Sequence, residues 1–151
     1  MEVTASALAR QRFLNGMQAA QLAALAAAAA EVMFPARHRI FADGDYGDKF
    51  WLIQSGYVTL DVQVPGAGQE IVGTVGIGGL LGWSWLLPSY QWEFGAVCKT
   101  EVKAFEFDAA AVRNLCAADP GLEYELTRRL FRVLAGRLES TRARLISRAA
   151  G

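Results

Sequence analysis

Apolar and polar positions change texture twice along the chain. From about Ala5 to Val32 alanine and leucine dominate, both strong helix formers. Asn15-Gly16 interrupts this run, which predicts two helices. The second starts near Gln18 and turns Leu22 and Leu25 inward, and the alanines from Ala26 to Ala30 permit close packing on a sheet. From Val32 to Phe107 short apolar runs alternate with glycine-bearing breaks such as Asp43-Gly44-Asp45, Gln54-Ser55-Gly56 and Pro65-Gly66-Ala67-Gly68. The breaks recur about every 12 residues, the rhythm of an antiparallel sandwich or barrel. The runs predict strands near Arg39–Phe41, Phe50–Ile53, Tyr57–Val62, Glu70–Val75, Leu81–Trp85, Phe94–Cys98 and Val102–Phe107.

After Phe107 helical periodicity returns. Asp108 suits an N-cap, and Asp119-Pro120 opens a last helix over about Gly121–Ile146. That helix carries two apolar stripes. Leu122, Leu126, Leu130 and Val133 form one. Tyr124, Phe131, Leu138 and Leu145 are spaced by seven, with Leu134 and Thr141 at the intervening seam position. The heptad stripe predicts a homodimer seam of Phe131, Leu134, Leu138 and Leu145. A single broad face buried within one chain fits the same spacing. The organisation is therefore one α+β domain over residues 1–151, with N-terminal helices at about 5–31, a β-roll at about 32–107 and C-terminal helices at about 108–147.

One stretch departs from the rest. Leu81–Val97 holds Trp83, Trp85 and Trp92, with Tyr90 and Phe94, and small residues between them. Rings this dense, broken by glycine and proline, fit a strand, a short irregular crossing and a returning strand. Such a segment lines a small-molecule pocket or a partner surface. An aromatic-rich core is the plainer reading.

Composition narrows the class. The 151 residues are 53% hydrophobic and 20% charged, with zero formal net charge, so the chain is globular and has no general pull on nucleic acid. The balance is uneven: residues 1–120 hold 8 Lys and Arg against 12 Asp and Glu, whereas residues 121–151 hold 7 Arg against 3 Glu. A solvated helix face accounts for such a tail, and no specific nucleic-acid contact is expected. Cys98 and Cys116 form no disulfide framework, and the amino terminus has no signal-peptide pattern. A cytoplasmic protein without a membrane contact is expected.

Catalytic and metal chemistry finds no support in the residue types. His38 is the single histidine, which removes a cupin metal site, and nothing near it suggests the elbow of a serine triad. Gly76-Ile77-Gly78-Gly79 is not followed by lysine, so it is no P-loop. Asp43, Asp45 and Asp48 lack the twelve-residue calcium loop with its closing glutamate and read as turn acids. No enzyme, metal or cofactor is expected.

Three segments carry a family resemblance. FPARHRIFADGDYGDKFWLIQSGYVTL (Phe34–Leu60), VGIGGLLGW (Val75–Trp83) and RLFRVLAGRLESTR (Arg129–Arg142) resemble, in turn, the first hairpins, the approach to the phosphate cassette and the long terminal helix of the cyclic-nucleotide-binding domain, the sensor of catabolite-activator-like regulators. The resemblance implies an antiparallel β jelly roll with N-terminal helices and a long C-terminal helix. GWSWL (Gly82–Leu86) and the P-x-Y-x-W-x-F pattern of Pro88–Phe94 look like a stand-alone bacterial group with this domain.

The resemblance also implies a ligand site formed by Gly82, Trp83, Ser84, Glu93, Phe94 and Gly95, walled by Trp85, Tyr90, Gln91 and Trp92. Here the chain departs from the family. Cyclic-nucleotide binders place a glutamate on the ribose and an arginine on the phosphate. Trp83 stands at the glutamate position and Glu93 at the arginine position, and no arginine or lysine lies between Lys49 and Lys99. Two like charges roughly 4 Å apart repel by about 4 kcal/mol at an effective dielectric of about 20. A sensor that refuses cyclic AMP and cyclic GMP, and favours a neutral, cationic or apolar ligand, is expected. A pure protein-interaction module with an aromatic-filled pocket is the rival reading. A DNA-reading regulator would need a further helix pair, for which the sequence shows no room.

Overall fold

The computed structural model describes residues 2–82, 92 and 94–150. Helix α1 (Ala5–Ala9) opens on Thr4, whose hydroxyl accepts the Ala7 amide at 3.1 Å. A 3-10 turn (Arg12–Leu14) follows, and Gly16 takes a positive φ before α2 (Ala19–Ala27). Gln18 and Gln21 cap α2 reciprocally, which satisfies two of the free amides at its start.

The second helix is shorter than its alanine content implies. The chain leaves it at Ala28, and β1 runs over Ala29–Phe34, residues expected to be helical as far as Val32. The reason is pairing. Ala29 lies opposite Phe107 and Phe34 opposite Val102, so all six residues of β1 enter one antiparallel ladder with β8 (Val102–Asp108). A continuous edge of hydrogen-bond partners outweighs an intrinsic preference of a few tenths of a kcal/mol per residue.

The remaining strands are β2 (Arg39–Phe41), β3 (Lys49–Ser55), β4 (Val58–Val64), β5 (Gly68–Val75), β6 (Leu80–Leu81) and β7 (Gly95–Cys98). Among the described residues these and β1 and β8 form two four-stranded sheets, ordered β1-β8-β3-β6 and β2-β7-β4-β5. Every recorded pairing is antiparallel. The fold is the antiparallel jelly roll with N-terminal helices and a long C-terminal helix.

Two cores sit on opposite faces of the first sheet. Trp51, Ile53, Val102 and Ala104 point between the sheets and meet Phe41, Val58, Leu60 and Ala96. Phe50, Leu52, Phe105 and Phe107 point the other way and meet the helices through Leu8, Leu25, Val112 and Leu126. Period-2 alternation therefore places apolar side chains on both faces of β3 and β8, which explains the nearly unbroken apolar texture of these strands. The polar residues among them are paired. Glu106 accepts the Trp51 indole N–H at 2.9 Å and meets Lys49 at 3.2 Å, and Lys103 meets Glu31 at 3.4 Å.

Helix α3 (Ala109–Ala118) starts on Asp108, whose carboxylate accepts the Ala110 and Ala111 amides. Asp119 does the same for Gly121 and Leu122 at the head of α4 (Pro120–Ala150). Helix α4 outruns the predicted end at Ile146 by four residues, and its first turns bury Leu122, Leu126, Arg129 and Leu130.

One turn is sterically exacting. Gly56, between β3 and β4, has φ +90°, and a Cβ there would sit 2.2 Å from the Glu101 carbonyl oxygen. Gly66 has a similar φ of +80° but open space around it. Gly56→Ala is expected to lower the unfolding free energy by about 2–4 kcal/mol, and Gly66→Ala by only about 1 kcal/mol. Urea unfolding of both variants checks this. Equal losses would mean that the clash with Glu101 is relieved without strain.

Candidate functional site

Of the predicted cassette residues, the structure describes Gly82, Trp92, Phe94 and Gly95. Trp83, Ser84, Trp85, Tyr90, Gln91 and Glu93 lie outside the described residues. Gly82 has φ +84° and lies against Trp51, since a Cβ would meet the indole at 3.0 Å and the Lys49 carbonyl at 3.1 Å. Gly95 backs onto an ion pair between Asp61 and Arg39, joined at 2.8 Å. The Asp61 hydrogen bond holds the Arg39 guanidinium above its ordinary pKa.

Trp92 is buried between the sheets. Its ring stacks on Phe41, 4.2 Å between centroids, and tilts against Trp51 at 6.0 Å. Backbone bonds tie it to the preceding turn: Gly44 N–H donates to its carbonyl, and its own N–H donates to Asp45. Asp45 also closes that turn by accepting the Ala42 amide. Phe94, two residues on, is half-buried and turns to a cavity.

That cavity measures about 770 Å³, within the usual range for a small-ligand pocket. Its floor is one face of β4, where Leu60, Val62 and Val64 alternate, together with β5 around Val72. The β4–β5 register slips here, with Leu60 opposite Gly73 but Asp61 opposite Ile71, so the strand bends around the space. Phe94 lies at the wall. The roof is α4, through Arg137, Ser140, Thr141, Arg144, Leu145 and Arg148.

Helix α4 holds this roof by polar contacts. The Arg144 guanidinium donates to the Val72 carbonyl, and the Arg137 guanidinium donates to the Leu80 carbonyl. The Thr141 hydroxyl donates back to the Arg137 carbonyl at 2.9 Å. Three arginines against one glutamate, Glu70, give the lining a positive balance. The expectation of a neutral, cationic or apolar ligand concerned the cassette around Trp83 and Glu93, which lie outside the described residues. In this separate cavity helix α4 brings arginines from far along the chain, and the electrostatics favour an anionic group. Sequence reasoning assigned this part of α4 to a dimer seam. The hydroxyl pair Ser140-Thr141 between arginines is the sequence signal that sets this part of α4 apart.

Other reactive groups are held away from solvent or from one another. Burial pushes the Cys98 and Cys116 thiols up, which disfavours a thiolate nucleophile. His38 is exposed and stacks on Phe34. Among the described residues no group of acidic, histidine and cysteine side chains has the arrangement of a metal site, and no helix is long and apolar enough to cross a membrane.

Residues 31–119, more than half of the chain, match the cyclic nucleotide-binding domain family. The chain belongs to that family. The matched span runs from β1 to the cap of α4. The CRP-like cAMP-activated global transcriptional regulator of Mycobacterium tuberculosis is 31% identical over 134 residues, which is 89% of this chain and 58% of the regulator. The chain thus spans less than two thirds of the length of that relative. A putative cyclic nucleotide-binding protein from Geobacter metallireducens has a similar structure, with a TM-score of 0.82 at 23% identity over 90% of this chain and 98% of its own. A cyclic nucleotide-binding domain from Methylobacillus flagellatus gives 0.79 at 20% identity over 87% and 74%. The catabolite activator protein of Thermus thermophilus gives 0.71 at 22% identity over 91% and 62%. At these identities the structures share the family's fold.

The surroundings of Trp92 make a direct test of its place in the domain. Its indole N–H is buried without a hydrogen-bond partner. Trp92→Phe keeps the stack and removes an unsatisfied donor, so a loss of only about 1 kcal/mol is expected. Trp92→Ala opens a cavity and should lose about 3–5 kcal/mol. Thermal unfolding separates the two. A near-neutral Trp92→Ala would place the ring outside the core.

Proposed function

We propose that this domain is a non-enzymatic sensor that takes a small amphiphilic ligand between β4, β5 and α4. The apolar body of the ligand lies on Leu60, Val62 and Val64, and its anionic group faces Arg137, Arg144 and Arg148. The observation that carries this reading is the arginine-roofed, apolar-floored cavity. The family assignment supports a sensing role, and the name of the mycobacterial relative makes that protein cAMP-activated. Ordinary cyclic AMP and cyclic GMP are not the ligands of this chain on our reading. Trp83 and Glu93 occupy the positions that the resemblance gives to the ribose glutamate and the phosphate arginine. Loss of one charge-assisted contact alone removes about 1.5–3 kcal/mol of binding, roughly one to two decades of affinity. The GWSWL and P-x-Y-x-W-x-F segments fit a stand-alone bacterial branch of the family.

Calorimetry with cyclic AMP and cyclic GMP should show no heat, and tryptophan emission should not change. A dissociation constant in the low micromolar range for either nucleotide would defeat this part of the reading. Anilinonaphthalene sulfonate, an apolar ring system with one negative group, should bind the folded protein at one site. Arg144→Gln and Arg148→Gln should each weaken it by about tenfold. Binding that ignores both substitutions would move the interaction-module reading ahead.

We also propose a symmetric homodimer through α4. Phe131 and Leu138 are each 71% exposed and Leu145 is 61% exposed, at spacings of seven on one helix. An apolar row of this length left in water is the mark of a partner surface. Leu134 contributes less to it, because it is half-buried against the helix-side core. Sedimentation should give a dimer for the intact protein and a monomer for Leu138→Asp. A monomer in both cases would end the idea.

A further inference from the structure

A second cavity lies on the other side of Arg137. It measures about 460 Å³ and forms where the 3-10 turn, the loop from Gly76 to Gly79 and α4 meet. Four guanidinium-bearing residues line it: Arg12, Arg129, Arg132 and Arg137. Among the described residues no acidic side chain lines it. Glu125 stands nearby and is engaged by Arg129 at 2.6 Å and Arg128 at 3.2 Å. Among the described residues, Arg12, Arg132 and Arg137 are ion-paired with no carboxylate.

Three of these arginines are held in place by backbone carbonyls, and two of them, Arg12 and Arg137, have no ion pair among the described residues. Arg12 donates to the Ile77 carbonyl at 2.9 Å, Arg129 to the Asn15 carbonyl at 2.7 Å, and Arg137 to the Leu80 carbonyl. Arg129 is only 7% exposed, and its Nε has no hydrogen-bond partner. Burial pulls the Arg137 guanidinium below its ordinary pKa, so its charge is desolvated without a counter-ion. Gly78 makes room for the arrangement. Its φ is +79°, and a Cβ there would lie 2.6 Å from Arg12 Nε. The glycine loop that lacks a following lysine in sequence receives its cations in space, from two other elements.

Convergent, positioned and unneutralised guanidinium groups recognise phosphate oxygens through paired N–H donors. We propose that this cavity binds a small polyphosphate-bearing anion at a site separate from the cavity between β4, β5 and α4. The proposal goes beyond the sensor reading and does not rest on it. The concave shape and modest volume fit one small molecule, and more than two cations fit a multiply charged one.

The test uses the full chain and inorganic pyrophosphate, titrated by calorimetry at constant ionic strength, with citrate as a parallel arm. Pyrophosphate should bind at one site with a dissociation constant of about 100 µM or below. Citrate should bind at least about tenfold more weakly. Arg12→Gln and Arg132→Gln should each weaken pyrophosphate by about tenfold. Both side chains are exposed, so folding should persist, as circular dichroism would show. Arg148→Gln, which lines only the first cavity, should leave pyrophosphate binding unchanged. Nuclear magnetic resonance should show the Gly76, Gly78 and Gly79 amides shifting with the same constant. The proposal is overturned by absence of heat and shifts, by equal affinity for citrate, by undiminished binding in the Arg12→Gln/Arg132→Gln double variant, or by an equal loss in Arg148→Gln. Loss of the sulfonate probe with intact pyrophosphate binding would sink the sensor reading and leave this one standing.

Discussion

Strand β8 is apolar on both faces and hydrogen-bonded on both edges, and the rest of the molecule is built around that constraint. Val102 and Ala104 belong to the core between the sheets, while Phe105 and Phe107 belong to the core under the helices. β1 pairs along one edge and β3 along the other. A strand buried in this way can expose no backbone group to water, so each edge must find a partner. That requirement draws Ala29–Phe34 out of a helix-forming sequence and into the sheet. It also fixes where α3 begins, because Asp108 ends β8 and caps the helix in the same residue.

The two cores give the molecule two different ways of holding α4. Its first turns insert Leu122, Leu126 and Leu130 into the helix-side core, where apolar burial fixes them. Past Leu134 the helix leaves that core. Arginines reaching back to the carbonyls of Leu80 and Val72 then hold it over the β-roll. A contact of this kind leaves space beneath the helix, where an apolar seam would close it. The cavities thus follow from the change in how α4 is attached.

The sequence predicted best where one residue decides one local structure. Asp108 and Asp119 cap the helices they were expected to cap, and Gly44 and Gly56 take the positive φ that a tight turn needs. The apolar run Val102–Phe107 correctly implied a strand. Failures came where the deciding partner lies far away in the chain. Nothing local to Ala29 or Ala30 announces β8, some 75 residues on, to which they pair. For Trp92 the segment's composition left a pocket lining, a partner surface and an aromatic-rich core open, because its neighbours Phe41 and Trp51 belong to strands much earlier in the chain. The arginines of the cavity between β4, β5 and α4 show the same limit. Arg137, Arg144 and Arg148 lie outside the segment whose bases were counted, and only the return of α4 across β4 and β5 brings them to the cavity.

That return also makes single residues serve more than one surface. Arg137 borders both cavities, and its bond to Leu80 ties α4 to the end of the loop that closes the second. Leu145 touches the first cavity and also belongs to the exposed heptad row. A ligand that moves α4 by a fraction of a turn therefore alters both the row offered to a partner and the spacing of the arginines. The linkage is reciprocal: whatever fixes the row in one position must change affinity at the cavity by the same factor. The exposed Arg144 contact exchanges more readily for water than a buried leucine leaves its core. The helix is thus rooted by apolar burial at Leu122–Leu130 and held by polar contacts beyond Leu134, a division set by where its apolar residues stop meeting the core.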